Sequence, residues 1–194
     1  WRHVFSGAAR WADPFFFYPQ RGALGYTDAF FLFGLAHAPL RLLGADTFTA
    51  YMLVMAGLAA VGFFGFRRLA VRHFGIRPAY AAIGAFLFAF ANMDAVKLIH
   101  AQAYAAMLLP SLCDLMLSAW AGRRQGWSMV LAAAAGLLYA ALFLTGFQTA
   151  WFFGLLVLLV VLLHPIIYGP AESRAVAAEM LTTRRPMTIA AACG

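Results

Sequence analysis

The residues best suited to chemistry fall in two short stretches. The first runs Asp13-Pro14-Phe15-Phe16-Phe17-Tyr18-Pro19-Gln20-Arg21 and then Gly25-Tyr26-Thr27-Asp28. A carboxylate held at a lipid–water boundary can act as a general base. The same residues have plain structural uses. Thr27 or Asp28 could cap a helix starting at Ala29, where backbone N–H groups lack partners. Asp13 before Pro14 could set a turn. Taken alone, these residues favour the cap over catalysis.

The second stretch is Asp94-Ala95-Val96-Lys97-Leu98-Ile99-His100-Ala101-Gln102-Ala103-Tyr104. Asp94 and Lys97 are three apart and could pair on a helix. One reading is an anchor, with Lys97 snorkelling and Tyr104 in an aromatic belt. The other is an anion site, with Lys97 and His100 on a lipid-linked phosphate and Gln102 on a sugar hydroxyl. Both readings stay open. Gln148, after Thr145-Gly146-Phe147, could face the same site as His100. Asp114 lies inside an apolar run, where charges are costly and often functional. It follows Pro110 and Ser111, and the plainer expectation is pairing with an arginine of the next loop. His164, before Pro165, reads as a helix-end residue rather than a ligand.

The elements that must position these residues belong to a membrane. Of 194 residues, 64% are apolar types and 11% are charged. Soluble domains carry roughly 45–50% apolar and about 25% charged residues. A spanning helix needs about 20 mainly apolar residues. Five runs satisfy this: 46–66, 79–99, 101–120, 128–147 and 149–168. A sixth starts near Met187. The expected fold is all-α, a polytopic transmembrane bundle in a single membrane domain over 1–194. Small residues such as Gly57, Gly62, Gly65 and the stretch Ala132–Gly136 suit close helix approach. The segment 29–43 is apolar but short. It reads as a surface or re-entrant helix within a long loop over 1–45, or alternatively as a short span. Both ends read as interruptions of a longer chain, and the piece is expected to be inactive alone.

The net charge is +7. It resides in short loops: Arg67, Arg68, Arg72 and Arg77, then Arg123 and Arg124, then Arg174, Arg184 and Arg185. Topology accounts for this better than nucleic acid, which is not an expected partner. The positive-inside rule places these loops in the cytoplasm and the turns near 94–100 and 146–149 outside. The cysteines Cys113 and Cys193 suggest neither a disulfide framework nor a metal site. No phosphate-binding loop, dinucleotide fingerprint or metalloprotease motif occurs.

The order Asp13-Pro14 through Pro19, Leu24-Gly25-Tyr26-Thr27-Asp28, Arg67-Arg68-Leu69, Ala89-Phe90-Ala91, His100-Ala101-Gln102 and Leu109-Pro110 resembles bacterial GT-C-type membrane glycosyltransferases. The resemblance implies a multi-pass protein of the bacterial cytoplasmic membrane that uses a polyprenyl-phosphate sugar as donor. It implies 29–43 as a surface helix and a carboxylate in the first outward loop, with Asp28 the first candidate and Asp13 the second. Arg21, Lys97 or His100 would then stabilise the developing phosphate charge. Gln102, Tyr104 and Gln148 complete the candidate substrate-binding set. Some relatives use a divalent metal, for which no ligand set is visible. Two other classes compete. A transporter or flippase subunit would line a path with Asp114 and His164. A non-catalytic assembly protein would need no site.

Overall fold

A computed structural model describes residues 29–91, 101–122 and 125–182. Among these the chain is helical, with no strand. Helix α1 covers Phe31–Leu42, α2 Thr47–Phe74 and α3 Pro78–Phe90. A 3₁₀ segment, Ala101–Leu108, runs directly into α4, Leu109–Ala121. Then come α5, Gln125–Thr145, α6, Phe147–Tyr168, and α7, Pro170–Thr182.

Among the described residues, four helical stretches are long and apolar enough to cross a membrane: Thr47–Phe74, Ala101–Ala121, Gly126–Thr145 and Phe147–Tyr168. The fifth expected span is shorter in the described residues. Helix α3 has 13 residues and closes at Ala91, which gives about 20 Å of helix against a core of roughly 30 Å. Asn92 and Asp94 follow, both poor helix formers. The rest of that expected run lies outside the described residues, as does the run starting near Met187.

Two expected loops are largely helix. Helix α2 continues past the apolar run to Phe74, so Arg67, Arg68 and Arg72 sit on its last turns. It stops at Gly75, whose φ of 64° is a left-handed C-cap, a conformation glycine adopts without Cβ strain. Arg72 and His73 near that end oppose the helix dipole favourably. Helix α7 occupies most of the segment expected to connect Tyr168 to the next span.

The spanning elements are joined by close backbone approach. A Cβ at Gly62 would stand 2.6 Å from Met107 Sδ, and one at Gly65 would stand 2.5 Å from Ser111 Oγ and 3.2 Å from its backbone N. Positions 62 and 65 thus meet 107 and 111 in the same chain direction, so α2 and the 3₁₀–α4 unit run parallel. Helix α3 lies against α2 in between, with Phe66 stacked on Phe88 at 5.4 Å. The expected close-packing position at Gly57 has no neighbour within 4 Å. Met107, Leu112, Leu142 and Thr145 are fully buried in a core that includes Val54, Met55 and Tyr104. Helix α6 is the opposite case. Only 6% of its most apolar window is buried among the described residues, so its Phe, Leu and Val surface suits contact with lipid.

Gly65→Val should therefore lower the thermal midpoint in detergent. The expected cost is about 1–3 kcal/mol, because backbone and Ser111 block the added carbons. Gly57→Ala should leave the midpoint unchanged or raise it slightly. Equal effects at the two positions would sink the close-packed seam.

Candidate functional site

Two polar assemblies emerge, one at each end of the bundle. The first is built on α1. This 12-residue helix packs on α2 and α5 and buries Phe33. It begins two residues later than expected, at Phe31, so the cap expected from Thr27 or Asp28 does not sit at its N-cap position. That position is Phe30, at φ 51° and ψ 33°, with no side-chain cap of its own. A left-handed bulky residue costs about 1–2 kcal/mol. The first-turn donor is satisfied from another helix, as Leu32 N–H donates to Thr145 Oγ1 at 3.1 Å. Thr145 in turn donates to Ala141 O at 2.7 Å and has no exposed surface.

The turn from α1 to α2 is tied as tightly. Arg41 Nη1 donates to Ala45 O at 2.6 Å, and His37 Nε2 donates to Thr47 O at 3.4 Å. Asp46 caps α2, accepting from Phe48 N–H at 3.0 Å and Thr49 N–H at 3.1 Å. The Thr49 hydroxyl and then the Thr49 N–H hold this carboxyl below the usual carboxylate range. His37 and Arg41, four apart on α1, therefore fasten the turn that follows it.

The 3₁₀ segment meets the same end. A Cβ at Gly146 would lie 2.8 Å from Ala105 Cβ and 2.9 Å from Gln102 O. Gln102 is half-buried and Gln148, two residues past Gly146, is exposed. The structure thus brings the Gln102 and Gln148 segments, Thr145 and the start of α1 to one end. Tyr104 departs from the belt reading. It is 4% exposed and packs in the core, because the tight 3₁₀ turn directs it inward. Asp13, Arg21, Asp28, Lys97 and His100 lie outside the described residues.

The second assembly surrounds Asp114, whose side chain is 8% exposed. Its partners come from α2 rather than from the next loop. Arg68 Nε donates to Oδ2 at 2.9 Å, and His73 Nε2 meets Oδ1 at 2.9 Å. Ser118 Oγ lies 3.4 Å from the same His73 nitrogen. Carboxylate, imidazole and hydroxyl might suggest a nucleophilic triad. A triad needs its acid and its serine on opposite ring nitrogens, and here both approach Nε2. The arrangement neutralises a buried charge and does not activate Ser118. His73 was not singled out from sequence. The spacing of Asp114 and Ser118 on one helical face was the available signal.

At the α6–α7 junction, His164 Nδ1 lies 2.7 Å from Ser173 Oγ, which donates to Gly169 O at 2.9 Å. His164 is a helix-end residue, as expected. Between α4, α5 and α6 an apolar groove of about 300 Å³ is lined by Leu112, Met116, Gly136, Tyr139, Phe153 and Val157. Tyr139 OH donates to Ala150 O at 3.2 Å across that hairpin. Among the described residues no three His, Cys, Asp or Glu side chains gather as a metal site.

The fold defines a class: among the described residues it is all-helical, with four stretches long and apolar enough to cross a bilayer. Comparison with known families, curated proteins and solved structures finds no match.

Two expectations follow. Thr145→Val should keep the packing but remove the acceptor for Leu32 N–H. Amide exchange at Leu32 should then accelerate about fivefold, the factor set by a net hydrogen-bond contribution of about 1 kcal/mol; unchanged exchange would show that α1 is held by packing alone. The Asp46 cap predicts a pH effect. Its lowered pKa means its contribution is complete above the ordinary carboxylate pKa and is lost as pH falls through the folded value. Amide protection at Phe48 and Thr49 should exceed that of Asp46→Ala at neutral pH and converge with it in acid.

Proposed function

We propose that the chain is part of a membrane glycosyltransferase, transferring sugar from a polyprenyl-phosphate donor at the outward end of the bundle. The observation that carries this reading is α1 docked across that end through Leu32 and Thr145, beside the Gly146–Gln102 contact. Such a shelf holds short polar segments at the membrane boundary. Phe30, in its left-handed conformation, directly precedes the shelf, and unusual backbone is often kept near functional positions. Asp28 is two residues away in sequence.

In the proposed step an acceptor hydroxyl oxygen attacks the anomeric carbon. Asp28, or failing it Asp13, takes the hydroxyl proton. The bond from that carbon to the phosphate oxygen breaks, and polyprenyl phosphate leaves with the electron pair. Arg21, Lys97 and His100 meet the phosphate charge. Gln102 and Gln148 serve the sugar hydroxyls. The apolar groove starts about 10 Å below the outward end, six residues before Thr145 on α5, and suits the hydrocarbon chain of the donor. The outward assignment of this end rests on the positive-inside rule, which puts the Arg-bearing ends in the cytoplasm.

Transport is less well supported. Asp114 is bonded to Arg68 and His73, and His164 to Ser173. These bonds join neighbouring helices and do not describe a path.

The test is sugar transfer by the full-length protein in membranes, wild type beside Asp28→Asn and Asp13→Asn. Loss of a general base should lower turnover by about 10²–10⁴-fold in one variant with folding intact. Undiminished transfer in both variants would remove these carboxylates from the reaction.

A further inference from the structure

The Arg end of α2 holds more than a structural ion pair. A helix of 28 residues is about 42 Å long, roughly 12 Å more than the hydrocarbon core. Its charged residues begin at Arg67, after Phe66, so the excess falls at this end. Val61, Phe64, Arg68 and Arg72 follow one another at helical spacings of three and four, and so share a face. Val61 is 42% and Phe64 65% exposed, and on a spanning helix such a face meets acyl chains. Arg68 and Arg72 continue the same stripe one and two turns further, where headgroups begin.

Arg68 is also preset. Its Nε is held by Asp114 Oδ2 at 2.9 Å while the side chain stays 63% exposed. Asp114 is fixed on its other oxygen by His73. A guanidinium anchored through Nε offers its terminal NH₂ groups in a set direction, the geometry that suits two phosphate oxygens. Arg72, exposed one turn away, adds a second cation that would otherwise repel Arg68 at this spacing. Arg68 and Arg72 against Asp114 leave one uncompensated positive charge, which matches a phosphodiester.

We propose that Arg68 and Arg72 bind the phosphate of an anionic phospholipid headgroup, with Asp114 as the residue that positions Arg68. The apolar stripe leading to the two arginines selects a lipid over free phosphate. The site lies at the end of the bundle opposite α1 and is independent of glycosyl transfer.

The test uses the full-length protein in neutral detergent, titrated with phosphatidylglycerol, phosphatidylcholine or inorganic phosphate while the thermal midpoint is read. Phosphatidylglycerol should raise the midpoint saturably, and the other two should not. Arg72→Gln, at an exposed position outside the core, should weaken the apparent affinity about tenfold or more, as loss of one charge-assisted contact implies. Arg68→Lys keeps the charge but loses the planar fork, and should weaken it similarly. Equal shifts with phosphatidylglycerol and phosphatidylcholine would overturn the site. So would wild-type affinity in both variants. A matching shift with inorganic phosphate would overturn the lipid as ligand and leave a soluble phosphate.

Discussion

A carboxylate inside an apolar helix dictates how the rest of this bundle is arranged. Asp114 is 8% exposed, and an unpaired charge there is costly in a bilayer. Its partners must come from a neighbouring helix at the right height, and α2 supplies two. Removing one member of a buried pair typically costs about 3–5 kcal/mol, because the remaining charge is stranded; the exposure of Arg68 makes its share smaller. The clasp and the glycine seam act together. Gly62 and Gly65 let the backbones approach, and Arg68 and His73 then fix the register. Without a hydrophobic drive between helices in lipid, packing and polar bonds of this kind hold them together.

That register is felt at the other end of the bundle. With α4 fixed by Asp114, the preceding residues must cover the remaining distance. The eight residues of the 3₁₀ segment rise about 2.0 Å each instead of 1.5 Å. They therefore reach about 4 Å further than α-helix would. Pro110, at the start of α4, has no N–H for the preceding turn, which suits the change of helix type. The extra reach carries Gln102 and Ala105 to Gly146. Thr145, next to that glycine, then holds Leu32 and with it α1.

The sequence made the helical membrane character legible because hydropathy over about 20 residues is an additive, local property. It also made α1 legible as a short separate helix. The limits of local reading lie at specific residues. Arg67, Arg68 and Arg72 looked like loop because charge ends an apolar run. Charge does not end a helix, however, and Gly75 does. Pro170–Thr182 was missed as a helix because it is polar, although proline at its first position is a usual start signal. Asp114 was expected to take an arginine close in sequence. Its actual partners are 46 and 41 residues away, and no local pattern encodes such a pairing. Tyr104 was read by type, as a belt aromatic. Its 3₁₀ backbone turned it into the core instead. The candidate carboxylates Asp13 and Asp28 and the cations Arg21, Lys97 and His100 lie outside the described residues, so their part of the site rests on sequence.

The two ends differ in what their polar groups are free to do. At the Arg end, Asp114 has both oxygens engaged, and His73 Nε2 is shared between acid and hydroxyl. A carboxylate with both oxygens engaged in this way resists relative movement of α2 and α4, and alternating access would have to break its bonds. At the far end the bonds are of another kind. Thr145, Arg41, His37 and Asp46 all hold backbone groups, and they fix a helix and its turn without using up a charged pair. A scaffold that secures its backbone this way can leave side chains of adjoining segments for a ligand. Gln148 is exposed there. This asymmetry, a closed clasp at one end and a braced shelf at the other, is the physical contrast on which the proposed surface chemistry rests.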